Sequence, residues 1–415
     1  MVRRVNPRTH NALAGVLLFL AFGAVLWHVL ACRESPMAFS PDGKRLAFVT
    51  MEPYKVDDFA KEGGAIFRLM VLTDGKDLRL VEQTNACMLS GPAFSPDGKQ
   101  LCYVRLPLTK PGAPGAQEAA QVEPVAENHT LPDSEALLKL KNAPQQDAAL
   151  VVCDAESFKE VHQVGIQLLA PTEPGMNYVI ERPQYSPDGQ WIYLCAGQQL
   201  IRVNPREPKQ ETLAVPAYIA RLSPDGKNIA FLGEKSLGIR RTDGEVAIFR
   251  RWDADQPSLC GLTWKDNQTI AVLSQPSNDE KRGALHLFRT DGSWVSSSPV
   301  NLPGDSGEGN TGDLAISPDG RQMVASYGHS VLFMDAEGNV QSTWKTKDEG
   351  KDPGKEGWLV QPAFTPDSKQ VAFKLLAGEG NEIRTKAIVF FNVAGKETSR
   401  VLIPAAPRVD KPGAL

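Results

Sequence analysis

The chain has 415 residues, of which 42% are hydrophobic, 23% charged and 7% aromatic. That apolar fraction excludes a mainly disordered chain, and a single long apolar run excludes a polytopic membrane protein. The formal charge of -4, from 45 basic and 49 acidic residues, argues against a nucleic-acid partner, which would call for a basic surface.

The chain opens on Arg3, Arg4 and Arg8, followed by residues 12–32, ALAGVLLFLAFGAVLWHVLAC, with His28 as its one titratable nitrogen base. A helix of this length spans roughly 31 Å, the thickness of a bilayer core. No acidic residue lies within 1–32, so the positive-inside rule keeps the N-terminus in the cytoplasm and sends the rest across. Three fates stay open. The run exceeds a usual signal core and reads as an uncleaved anchor. Val29-Leu30-Ala31-Cys32 resembles a bacterial lipobox, with Cys32 as candidate lipidation site. Val29 and Ala31 also fit ordinary signal cleavage. Setting the three arginines apart leaves 42 basic against 49 acidic residues, about -7 on the exported part.

Behind the apolar run one pattern recurs. Ala38–Phe48, AFSPDGKRLAF, returns as AFSPDGKQLCY at 93–103, QYSPDGQWIY at 184–193, RLSPDGKNIAF at 221–231, AISPDGRQMVA at 315–325 and AFTPDSKQVAF at 363–373. A degenerate copy, LTWKDNQTIAV at 262–272, is one residue shorter and has Asp266 and Asn267 in the Asp-Gly places. Ser accepts turn hydrogen bonds, Pro presets φ, Asp favours the third place and Gly supplies the left-handed conformation. Asn267 is expected to take that left-handed place in the short copy, and Ser368 in the last. The repeat-turn residues are therefore Asp42, Asp97, Asp188, Asp225, Asp266, Asp319 and Asp367.

Each copy is followed by a second turn: Thr73-Asp74-Gly75, Cys153-Asp154-Ala155-Glu156, Asn204-Pro205-Arg206, Thr242-Asp243-Gly244, Thr290-Asp291-Gly292, Asp335-Ala336-Glu337-Gly338 and Val393-Ala394-Gly395. The unit reads strand–turn–strand–loop–strand–turn–strand. Seven such units predict an all-β fold, a seven-bladed β-propeller of four-stranded antiparallel blades preceded by one N-terminal hydrophobic helix. The repeat Asp recurs at steps of 55, 91, 37, 41, 53 and 48 residues, most of them near a blade's 40–50. The step of 91 holds an insertion at 107–147 in blade two, rich in Pro, Ala, Gln and Glu, with one short helix expected at 133–142. The predicted organisation is 1–32 as cytoplasmic basic stub and membrane anchor or lipoprotein-type signal, 36–404 as propeller and 405–415 as a flexible tail.

The SPDG hairpin and the strand after it resemble the WD40-like PD40 repeat of the TolB propeller, over residues 38 to about 404. The resemblance implies the fold. It implies no Tol–Pal role, because only about five residues separate the apolar run from the first copy, leaving no place for TolB's N-terminal domain. Prolyl-oligopeptidase-type relatives carry an α/β-hydrolase domain for which this chain has no room.

Catalytic patterns weigh little. Gly304-Asp305-Ser306-Gly307 copies the letters around a trypsin-type serine but sits in a predicted interblade loop. Gly307–Gly312 spells GxGxxG ahead of a strand, with no helix N-terminus for a phosphate. The six histidines show no metal-ligand spacing. No cofactor, metal or catalytic residue is expected. Cys102 and Cys153 should lie on neighbouring strands of blade two, either as a cross-strand disulfide or as small buried hydrophobes.

The SPDG turns and the second turns should share one face of the propeller, and the longer loops 50–64, 107–147, 274–283, 302–313, 345–358 and 375–386 the other. Long, varied loops on a rigid scaffold are where binding resides. The charged loop between Trp344 and Trp358 makes these two residues the candidate partner-binding pair. The expectation is a non-enzymatic, membrane-tethered binding or scaffold module on the extracytoplasmic side of a bacterial envelope, with an envelope protein or peptide as partner. The alternative is a propeller enzyme or a small-molecule or sugar-binding protein that uses the central pocket, marked by polar side chains converging at the axis.

Overall fold

The structure, a computed structural model, describes residues 36–53, 65–107, 145–169, 180–196, 199–214, 217–233, 236–244, 246–251, 259–274, 283–300, 313–327, 330–345, 357–377 and 384–406. The apolar segment 1–32 with Cys32, the predicted helix at 133–142, the GDSG and GxGxxG stretches and residues 407–415 lie outside the described residues. No helix among the described residues is long and apolar enough to cross a membrane.

Seven four-stranded antiparallel sheets form the blades, at 38–84, 87–169, 184–214, 219–251, 259–300, 313–345 and 358–402. Within each, the strands are neighbours in chain order. The reason lies in the turns. In blade one Ser40 Oγ donates to Asp42 Oδ1 and accepts the Arg45 N–H at 3.0 Å, and Asp42 Oδ1 accepts the Lys44 N–H at 3.1 Å. The same three bonds recur around Ser95, Ser186, Ser223, Ser317 and Thr365. The second turn then docks on the first: the Asp74 N–H donates to Lys44 O at 2.7 Å, with counterparts from Ala155 to Lys99, Thr242 to Lys227 and Thr290 to Gln268. Both turn sets therefore share one face, as the repeat implies.

The fifth turn departs from expectation. Asn267 does not take a positive φ, whereas Ser368 does, at +61°. With one residue fewer, the copy closes by Lys265 N–H to Thr269 O at 2.8 Å, so no left-handed residue is required. Asn267 instead spends its side-chain oxygen on the Asp225 N–H of the preceding blade, at 2.9 Å.

The core of the described residues is not one cluster but seven larger ones, one in each gap between neighbouring blades, and a small eighth of Val360 and Leu376 within blade seven. Successive residues of a central strand face opposite gaps. Leu69 and Val71 pack toward blade two, and Met70 and Leu72 toward blade seven. The other gaps are filled in the same way. Every blade carries a register shift between its third and fourth strands. A bulge there sharpens the local twist, which lets the outer edge fan away from the axis.

The same geometry decides the cysteines. Cys102 pairs with Val152 and Cys153 with Leu101 across one ladder. That offset of one residue sends the two thiols to opposite faces, Cys102 toward blade three and Cys153 toward blade one. Both are free and buried, which supports the small-hydrophobe reading, and burial pushes the Cys102 thiol up to about 12.

The carboxyls of Asp42, Asp97, Asp188, Asp225, Asp319 and Asp367 are held below the ordinary carboxylate range. In most of them the hydroxyl of the turn Ser or Thr is the leading cause, joined by the N–H two residues on. A lowered folded-state value means stability that is complete above the ordinary value near 4 and is lost as pH falls through the lowered one. The denaturation midpoint is expected to hold from pH 8 to 6 and to fall steeply below about pH 4. Asp97→Asn combined with Asp319→Asn should shallow that fall; an unchanged slope would locate the acid sensitivity elsewhere.

Candidate functional site: the central channel

Counting back four residues from the turn Ser or Thr brings one residue of each innermost strand to a common level around the axis. In blades two, three, six and seven these are Gly91, Arg182, Asp313 and Gln361, and in three of the four a proline follows: Pro92, Pro183 and Pro362. Proline removes a donor at the inner edge. In blades two and seven the ladder is shifted there, between Ser90 and Ala93 and between Val360 and Ala363.

Gly91 has φ +47°, and a Cβ on it would overlap Pro183 Cδ and lie 3.0 Å from Arg182 Cα. Glycine is needed because the backbone of blade three passes directly against it. Gln361 adopts φ +56° at the matching place in blade seven, where a side chain costs about 1–2 kcal/mol. Its N–H donates to Asp313 Oδ2 at 2.9 Å. Gln361 is buried, and its Oε1 has no hydrogen-bond partner. Strain of this kind gathers at functional sites.

Arg182 Nη1 donates to Met37 O at 3.2 Å. This bond joins blade three to blade one and passes in front of Gly91 in blade two, so the guanidinium stands in the channel. Arg221 Nη1 donates to Glu181 Oε2 at 3.0 Å and to Ala220 O at 2.8 Å. Burial first, and then the charge on Arg221, pull Arg182 down to about 10, against the opposing pull of Glu181. It remains a cation at neutral pH. Polar groups of blades one, three and four are thus bonded to one another at or just ahead of the innermost strands.

The repeat Asp residues lie on the turn face, away from this level, and make turns. Trp344 sits half-buried on the outermost strand of blade six, Val340–Lys345, with its ring 5.5 Å from that of Phe391 in blade seven. Trp358 opens the innermost strand of blade seven, Trp358–Phe364, beside Val360 and Leu376. The two tryptophans are therefore at opposite radii, and residues 346–356 between them lie outside the described residues. His286 is held between Ser274 Oγ and Ser297 Oγ, each at 3.1 Å. No group of three His, Cys, Asp or Glu that could hold a metal occurs among the described residues. Sequence reading missed the channel charges; the signal available was a polar residue before proline four residues ahead of the turn Ser or Thr in two blades, Arg182-Pro183 and Gln361-Pro362.

No protein-family model matches the chain, and no curated protein matches it. Among solved structures, a chain of the hydrazine synthase of Kuenenia stuttgartiensis is 12% identical with a TM-score of 0.44, over 75% of this chain and 95% of that one. One in a crystal structure of the eukaryotic initiation factor is 13% identical with a TM-score of 0.41, over 88% and 87%. A chain in the crystal structure of the mitotic checkpoint complex is 12% identical over 87% of each chain, with a TM-score of 0.53. At that identity the likeness is one of fold: the chain is a seven-bladed β-propeller that shares its architecture with a component of that complex.

Proposed function

We propose that the chain is a TolB-like propeller of the PD40 type, tethered to a bacterial membrane by its N-terminal segment, and that it acts without catalysis as a binding module for an envelope protein or peptide. The observation that carries this reading is the one-sidedness of the disc. The turn face is closed by bonded tight turns. The long segments 54–64, 108–144, 170–179, 252–258, 275–282, 301–312, 346–356 and 378–383 all connect strand ends of the opposite face. A rigid body that spends its spare chain on one side presents that side to partners. The run of 21 uncharged residues behind three arginines supports the tether and its direction.

The test is cross-linking of the full chain in native membranes, beside a variant in which 108–144 is replaced by a short Gly-Ser link. A partner recovered repeatedly with the wild type should fall at least tenfold with the variant; identical recovery, or none specific to the wild type, would overturn the loop-face reading. Fractionation tests the tether. Wild type should sediment with membranes, and release or a size change in Cys32→Ala would assign the tether to lipid on Cys32. Wild type in the soluble fraction would remove the tether altogether.

A further inference from the structure

We propose that the central channel holds a small carboxylate, gripped by the guanidinium groups of Arg182 and Arg221. This goes beyond loop-face binding and does not depend on it.

The first argument is charge. Arg182 and Arg221 stand close enough to act on one another, and Glu181 is the one carboxylate that acts on Arg182 among the described residues. On the side of blades three and four, two cations face one anion, a local surplus of +1 in a confined, partly desolvated place; the other carboxylate at this level, Asp313 of blade six, accepts the Gln361 N–H and does not act on Arg182. Like charges so placed repel strongly at low dielectric, and an uncompensated buried charge is costly. A monoanion removes the surplus. Phosphate would bring nearly two negative charges beside Glu181, so the balance favours a carboxylate.

The second argument is unused bonding capacity. Arg182 gives one bond, to Met37 O, and both bonds of Arg221 leave from Nη1. Their remaining N–H groups carry no hydrogen bond among the described residues, and none of them belongs to the fully buried unpartnered atoms. They open to the channel. A guanidinium presents paired N–H groups in a planar fork whose natural partner is a carboxylate.

The third argument is fixation. The bond to Met37 O holds Arg182 in place from two blades away, while Glu181 holds Arg221. Gly91, in the blade between Met37 and Arg182, adds no side chain to the wall there. A site held rigidly before binding loses little entropy on binding.

The experiment uses the full chain in detergent micelles. Thermal unfolding is followed against acetate, a monoanion, against inorganic phosphate and against sodium chloride at matched ionic strength. Acetate should raise the midpoint saturably above the chloride control, and more strongly than phosphate. Arg182→Gln and Arg221→Gln should each weaken the apparent affinity at least tenfold, and Arg182→Lys, which keeps charge but loses the fork, by less. Arg221→Gln leaves the Met37 bond intact and serves if Arg182→Gln fails to fold. Arg400→Gln, on the outermost strand and paired with Glu397, should bind as wild type. The variant lacking 108–144 should keep acetate binding even if it loses a protein partner. Absence of a saturable rise, tighter binding of phosphate, or unchanged affinity in both glutamine variants would overturn the proposal.

Discussion

Replacing Glu52 by alanine is expected to lower the free energy of unfolding by about 3–5 kcal/mol, read from the urea midpoint of the full chain in detergent. The size follows from how this ring closes. Each blade takes all four strands from consecutive chain, so no strand is lent from one end of the sequence to the other. The seam between blades seven and one is crossed by no strand pairing. Met37, Phe48 and Met70 pack on Ile388, Phe390 and Ile403. Lys374, with no exposed surface, donates to Val49 O at 2.7 Å across the seam. Glu52 accepts from Arg68, faces Arg384 at 3.7 Å and accepts the Ala406 N–H at 2.7 Å.

Removing that carboxylate strands two enclosed cations. Arg68 is 4% exposed, and burial already pulls its pKa down against the pull of Glu52. It also frees the last described residues of the chain, which Glu52 ties to blade one; Ala406, the second residue of the predicted tail at 405–415, is thus a bonded one. Glu52→Gln keeps an acceptor and should lose less than the alanine variant. Glu337→Ala is the comparison. Glu337 is 67% exposed and pairs with Lys265 at 3.2 Å, so its loss should stay under about 1 kcal/mol. Equal losses at 52 and 337 would show that the seam has no special hold on the ring.

The fold was legible because its information is local. Ser-Pro-Asp-Gly fixes a hairpin within five residues, and a hairpin repeated with a second turn leaves few architectures open. The gap-filling pairs of apolar faces follow from strand periodicity alone. The seventh copy was readable in the same terms, since Ser368 does enter the left-handed region. The fifth was not, because a turn shortened by one residue changes its closing bond, and Asn267 was released to bind the neighbouring blade. The channel was illegible for a different reason. Arg182, Asp313 and Gln361 each occur once, at a level where the other blades carry different residues. Their meaning comes from bonds such as that to Met37 O, 145 residues away in sequence. Trp344 and Trp358 look paired in the sequence because a charged loop joins them, yet the blade architecture sets them at the outer and inner edges of different sheets.

Gly226→Ala is expected to cost about 2–4 kcal/mol, and Gly75→Ala only about 1–2. Both glycines have φ near +70°, at +71° and +65°, so both substitutions carry the same backbone strain. They differ in what stands beside them. A Cβ at Gly75 meets nothing within 4 Å, whereas one at Gly226 would overlap Pro187 Cδ and come within 2.6 Å of Pro187 Cγ. Pro187 belongs to the turn of the preceding blade, and the arrangement repeats around the axis. Gly43 lies against Pro366, Gly98 against Pro41 and Gly189 against Pro96. Where the glycine is missing, a hydrogen bond takes its place: Asn267 accepts from the Asp225 N–H, and Ser368 Oγ accepts from the Asp319 N–H at 3.1 Å. Gly320 completes the circuit against Lys265 O. Each turn thus touches the one before it, and the circuit passes the seam, since Gly43 and Pro366 belong to blades one and seven. Glycine in this repeat does two separable things, adopting the left-handed turn and admitting the preceding blade's proline. The difference between the two alanine variants measures the second. A difference below about 0.5 kcal/mol would mean that the proline yields at little cost and that the turns merely sit side by side. A difference of about 1–3 kcal/mol would make the nested turns a second closure of the ring, on the face opposite the Glu52 seam.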